Sequence, residues 1–352
     1  MSCNKNNCIR MVFSMTNEIN NSVVAFIRDN MGTLSCPKAF RTGGNGTGLQ
    51  QADPLGSQGS IALSSNGKFL FVVNAGSNNI SSFRVFQGGL SLIEVVPSGG
   101  IFPNSLTINN HNLYVTNSGN QPQFAANVTG FHIDSDGHLC FINGSQRPLS
   151  SSNAQSRCIV SSPCNNKLVV SEAVTNNLSV YNVDCYGRLT GPTVTPSNGV
   201  GPFGSAYLNN NLLVVSEVGT NALSSYRVMN NGDLDVISGS VLNNQAATCW
   251  VSVDPDEHYA YTSNAGNGTI TQYRIMHGGI LTVVETIPST PNTTGTPIDS
   301  RIDMCGRNFY VLNGREGSIS VFKIDNNGHL VLLQIYRDTK LPQIGAQGMA
   351  VL

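Results

Sequence analysis

One pattern recurs along almost the whole chain and leaves few folds open to it. An apolar stretch is followed by a polar turn, then by an alternating stretch carrying one aromatic residue, then by a glycine turn ending in Leu. Residues 69–90 read FLFVVNAGSNNISSFRVFQGGL, residues 212–234 LLVVSEVGTNALSSYRVMNNGDL, and residues 309–330 FYVLNGREGSISVFKIDNNGHL. The aromatic recurs as Phe26, Phe83, Phe131, Tyr181, Tyr226, Tyr273 and Phe322, and the turn glycine as Gly32, Gly88, Gly137, Gly187, Gly232, Gly279 and Gly328. Successive glycines lie 56, 49, 50, 45, 47 and 49 residues apart. β-Branched and aromatic residues dominate the alternating stretches, as strands prefer, and glycine supplies the positive φ of a tight hairpin. No amphipathic helix of useful length interrupts them. A repeat of this length made only of short strands leaves a propeller or a β-solenoid, and a solenoid rung of nearly fifty residues would be long.

Each propeller blade also needs an innermost strand. Candidates are 59–63, 104–108, 157–161, 204–208, 249–253 and 300–304. The first repeat opens directly on its second strand at Met11, and the missing inner strand stands at the other end, where 347–352 (QGMAVL) mirrors 58–63 (QGSIAL). The expectation is an all-β, seven-bladed β-propeller over residues 10–352, closed by its C-terminal strand, with 1–9 as an arm outside it. Closure removes the free sheet edges that invite aggregation. Cys3 and Cys8 on the arm are candidates for thiols that bond a neighbouring protomer.

Charge is scarce. Asp, Glu, Lys and Arg make up 11% of the chain and the net charge is −1, against roughly 25% charged residues in ordinary soluble proteins. Neither a nucleic acid nor an anionic membrane has a basic footprint to bind. No export signal or spanning segment is visible in the sequence, which reads as cytoplasmic or assembled into a larger particle. The nine cysteines include no C-x-x-C pair, which argues against zinc and predicts mostly buried apolar thiols. P-loop, G-x-S-x-G and H-E-x-x-H signatures are absent, so no cofactor or metal is expected. The glycine-rich run 43–48 (GGNGTG) lies between strands and reads as a flexible linker.

The repeats resemble the YVTN-type, lactonase-like seven-bladed propellers, the group holding bacterial 6-phosphogluconolactonase and fungal carboxymuconate-lactonizing enzyme. The carrying residues are 61–74 (IALSSNGKFLFVVN), similar to the family's "IALSPDGKYLYVAN", and the closing 345–351 (GAQGMAV). The likeness implies His, Arg and Glu around the central channel, with a Pro-Arg-His step entering one inner strand. Here that step reads Pro202-Phe203-Gly204, and Cys158 follows Arg157 where His would stand. All six histidines fall in turns or on outer strands.

Chemistry would sit where the loops between second and third strands gather around the channel. The second strands end near Asn17, Asn74, Asn117, Glu172, Glu217, Asn264 and Asn313. Glu172 and Glu217 break an asparagine series in consecutive blades. Two carboxylates on one rim would raise one pKa and could supply a general base. Arg157 and Arg301, read as lying near the starts of their inner strands, would be the cations, with Asp299 nearby. These four residues form the candidate catalytic set for a small polar or anionic ligand. Because the Arg-His step is missing, the first expectation is a non-catalytic binding or assembly module, free to form a homo-oligomer and without lactonase turnover. The alternative is a lactone hydrolase or cyclase.

Overall fold

The computed structural model describes residues 10–119 and 124–352, so the arm with Cys3 and Cys8 lies outside the described residues. Seven antiparallel sheets form seven blades. The first joins Met11–Met15, Ser22–Arg28 and Leu34–Arg41 to the C-terminal strand Gln347–Val351. Val12 pairs with Val351 and Phe13 with Ala350, so the chain ends close the ring as the mirrored sequences predict.

The repeat residues do what their chemistry requires. The seven aromatics are buried to 3% exposure or less, wedged where neighbouring sheets meet. The seven turn glycines take φ between +77° and +95°, a region that costs other residues strain. Among the described residues the two helical segments are single 3-10 turns, Asn209–Asn211 and His277–Gly279.

Inner strands fall within a few residues of their expected places, and one shift matters. The seventh blade's inner strand is Pro297–Ile302, not 300–304. Asp303 ends it, its carboxylate accepting the Arg307 N–H at 2.8 Å to open a turn that exposes Met304. Arg301 is therefore the penultimate residue of its strand, at the opposite end of the channel from Arg157, which is second in Ser156–Ser161. Most cysteines also depart from expectation. Cys158 and Cys249 are buried, but Cys36, Cys140, Cys164, Cys185 and Cys305 are exposed, because they stand on outermost strands or in hairpin turns.

The run 43–48 is no loose linker. Gly46 N–H donates to the Glu18 carbonyl at 2.8 Å and Gly48 N–H to the Asn17 carbonyl at 3.0 Å. A Cβ on Gly46 would lie 2.3 Å from the Asn17 carbonyl carbon. Glycine is required there because two backbones touch.

Candidate active site

The connection that enters the second blade, residues 42–60, turns inward and blocks the channel. Three consecutive residues, Ser57, Gln58 and Gly59, bond to the inner strands of five other blades. Gln58 N–H donates to the Arg157 carbonyl at 2.8 Å, while its side-chain amide donates to the Ser205 carbonyl and accepts the Val251 N–H, both at 2.9 Å. Trp250 Nε1–H donates to the Ser57 carbonyl at 3.0 Å, Ser105 Oγ–H to the Gln58 carbonyl at 2.6 Å, and Gly59 N–H reaches Asp299 Oδ2 at 3.4 Å. Blades two and five stand across the axis from each other, so Gln58 divides the channel into an upper and a lower chamber.

The upper chamber is a cavity of about 360 Å3. Asp53 and Arg157 face it, together with an apolar wall of Pro54, Leu55 and Phe102 and the polar side chains of Asn153 and Gln155. Asp53 Oδ1 accepts the Gly56 N–H at 2.9 Å. Its carboxyl opens into the cavity but is enclosed by protein on its other sides. That enclosure raises it to about 7, with the Arg157 guanidinium pulling it down and Asp299 adding to the rise. The Arg157 guanidinium donates to the Gly56 carbonyl at 2.9 Å and lies 5.7 Å from the centre of the Phe203 ring. Its Nε–H is buried without a partner, and burial lowers its pKa from the usual arginine value. Phe203, which stands where the resemblance implied an arginine, is thus a platform for an arginine from the preceding blade; its other contact is edge-on to Trp250, centroids 5.0 Å apart.

The four sequence candidates do not converge. Glu172 and Glu217 are fully buried in the seams between blades. Glu172 accepts from Ser150 N–H at 3.0 Å, Ser179 Oγ–H at 2.6 Å, Thr175 Oγ1–H at 2.7 Å and the Ser150 hydroxyl. Glu217 accepts from Gly199 N–H at 2.9 Å, Ser224 Oγ–H at 2.5 Å and Ser240 Oγ–H at 2.7 Å. The asparagines at the same strand ends do similar work. Asn74 donates to Ser81 Oγ at 2.7 Å and Asn264 to Thr271 Oγ1 at 2.9 Å, again seven residues on. Asn17 is different, standing two residues past its strand at φ +51° and donating to Thr47. These side chains tie the loop leaving one blade to the middle strands of the next.

Arg301 lies below Gln58 and lines the lower chamber, about 370 Å3. Asp299 is wholly buried beside it, and burial raises its carboxyl to about 6 against the pull of Arg301. Of the candidate set, only Arg157 faces the upper chamber. Sequence reading missed Asp53, on the part of the connection that carries no repeat, and took Gln58 only as the start of the 58–63 inner-strand match. The histidines stand where expected, in turns and on outer strands; His138 pairs with Glu94 and His329 with Glu285 on the surface.

A channel-plugged seven-bladed propeller with a polar cavity at one mouth is the class that this geometry defines. The family model described as "Lactonase, 7-bladed beta-propeller" matches residues 10–148 and 235–344, and the chain belongs to that family. Among solved structures it is similar to the Pseudomonas aeruginosa periplasmic gluconolactonase, with 16% identity and TM-score 0.78 over 98% of this chain and 99% of that one. A Bacteroides fragilis protein assigned by name as a 6-phosphogluconolactonase gives 18% identity and TM-score 0.71 over 100% of both chains. A Lactobacillus plantarum protein gives 17% and 0.77 over 98% and 99%. At these identities the likeness shows the fold. No curated protein matches the sequence. The family and the names of its structural neighbours overturn the expectation of a non-catalytic assembly module. They favour the lactonase alternative.

Proposed function

We propose that the chain hydrolyses a lactone in the upper chamber. The observation that carries this reading is a carboxyl poised near neutrality, Asp53, in the same cavity as the Arg157 guanidinium. Ester hydrolysis needs a base to activate water and a donor where the carbonyl oxygen gains charge. Asp53 takes a proton from water as the water oxygen bonds to the lactone carbonyl carbon. The Arg157 guanidinium, which faces the same cavity, stabilises the oxyanion. When the ring C–O bond breaks, the proton held by Asp53 passes to the departing ring oxygen, giving a hydroxy acid and restoring the carboxylate. No metal enters these steps.

The test is hydrolysis of glucono-δ-lactone by purified protein, corrected for the spontaneous reaction. Turnover should rise with pH through about 7 as Asp53 loses its proton. Absence of turnover on this and a panel of five- and six-membered lactones would overturn the proposal.

A further inference from the structure

Resting on that reading, we infer that the chamber selects an uncharged lactone and disfavours a phosphorylated one. Among the described residues, Arg157 is the one Lys or Arg lining the upper chamber. Its charge is already partly committed, to the Gly56 carbonyl at 2.9 Å, to the Gln155 side-chain oxygen at 3.4 Å and to the face of Phe203. A phosphate dianion is held by a bidentate arginine fork, by several cations, or by N–H groups at a helix N-terminus. The described chain has no α-helix to supply the last, and the next channel arginine, Arg301, lies beyond the Gln58 plug.

The carboxylates push the same way. Asp53 faces the ligand directly, and Asp299 is close enough to raise its pKa further. In an enclosed site of low dielectric, a dianion beside the Asp53 carboxylate would have one occupied guanidinium to answer it. The rest of the lining suits a neutral ring. Pro54 and Phe102 offer an apolar wall, while Asn153 and Gln155 offer hydrogen bonds to hydroxyls. At about 360 Å3 the chamber stands near the lower end of the roughly 300–1,000 Å3 range of ligand pockets, a size for one ring.

Two measurements test this. The first compares kcat/KM for glucono-δ-lactone and its 6-phosphate, in wild type and in Gln155→Lys, which adds a cation on an exposed residue at the rim. Wild type should prefer the neutral lactone by about tenfold or more, and the variant should shift the ratio toward the phosphate by about tenfold. The second measures thermal stabilisation by gluconolactam, a non-hydrolysable neutral analogue, and by its 6-phosphate. Preference for the phosphorylated lactone would overturn this inference and leave the hydrolase reading intact. Selective binding of the neutral lactam without turnover of either lactone would overturn the hydrolase reading and uphold the chamber's selectivity. Binding of neither lactam, with no turnover, would overturn both.

Discussion

Two kinds of carboxylate lie near the upper mouth of this propeller, and they differ in how completely their charge is answered. In the seams of blades four and five, Glu172 meets four donors and Glu217 three. Buried charge is tolerable when every lone pair is hydrogen-bonded, and such groups then hold structure in place. In the channel, Asp53 has backbone N–H donors on one side and a cavity on the other. Its ionised form is undercompensated, so its carboxyl rises to about 7 and can exchange a proton near neutral pH. A carboxylate conspicuous for breaking a repeat can still be part of the repeat's own bracing. The one proposed to react sits where the repeat is interrupted.

The sharpest way to break this contrast is a pair of variants read in both activity and stability. Asp53→Asn should reduce turnover by about 10²–10⁴-fold, the usual worth of a general base, with Tm held or raised because an undercompensated carboxylate is gone. Glu217→Ala should do the reverse. It strands Gly199 N–H and two hydroxyls in a fully buried seam, a loss on the order of 3–5 kcal/mol, while the folded fraction keeps most of its turnover. If Glu217→Ala instead lost activity at unchanged Tm, the division of labour between seam and channel would be wrong.

Asp299 sharpens the comparison from the channel side. It is buried like the glutamates but raised like Asp53, to about 6. A carboxyl raised in the folded state binds its proton more tightly there than in the unfolded chain. Its contribution is therefore complete below the unfolded value near 4 and is lost as pH rises through about 6. Wild type should lose on the order of 3 kcal/mol from this group between pH 4 and 6, and Asp299→Asn should flatten that part of the profile. Denaturant melts at half-unit pH steps would show it; parallel profiles for the two proteins would refute the assignment.

The fold was legible in the sequence because every blade repeats the same local chemistry. An aromatic near the middle of the third strand, a glycine where φ must be positive and alternation between them each force one local structure, and seven copies leave little choice of assembly. Strand ends were less legible: Asp303 and its turn, not apolar content, decide where the seventh inner strand stops, and that moved Arg301 to the wrong end of the channel. The site was legible only in Arg157. Asp53 lies on a stretch with no period to read, although the length of the connection was a signal, and Gln58 was read only as the start of a strand that mirrors 347–352. Residues 42–60 are nineteen positions between strands, against five for residues 98–102, and long connections in compact domains commonly carry function. Glu172 and Glu217, where glutamate replaces asparagine, also fall within 149–234, the stretch that the family model leaves unmatched.

The smallest effect is expected where charge alone is removed from a seam. Glu172→Gln keeps the shape of the side chain and one acceptor oxygen, which can stay on Ser150 N–H and Ser179 Oγ–H. The new NH2 would then face the hydroxyls of Ser150 and Thr175, which now donate to Glu172 Oε2. A hydroxyl can rotate to accept as readily as it donates, so the network can reverse without leaving a buried donor alone. What is lost is the charge assistance of bonds that are about twice as strong as neutral ones, against a smaller desolvation cost for a neutral amide. The net change should be about 1 kcal/mol, a Tm shift of a few degrees or less, with kcat and its pH dependence unaltered. A change in the pH profile of turnover would connect Glu172 to the chamber and remove the distinction between bracing and reactive carboxylates.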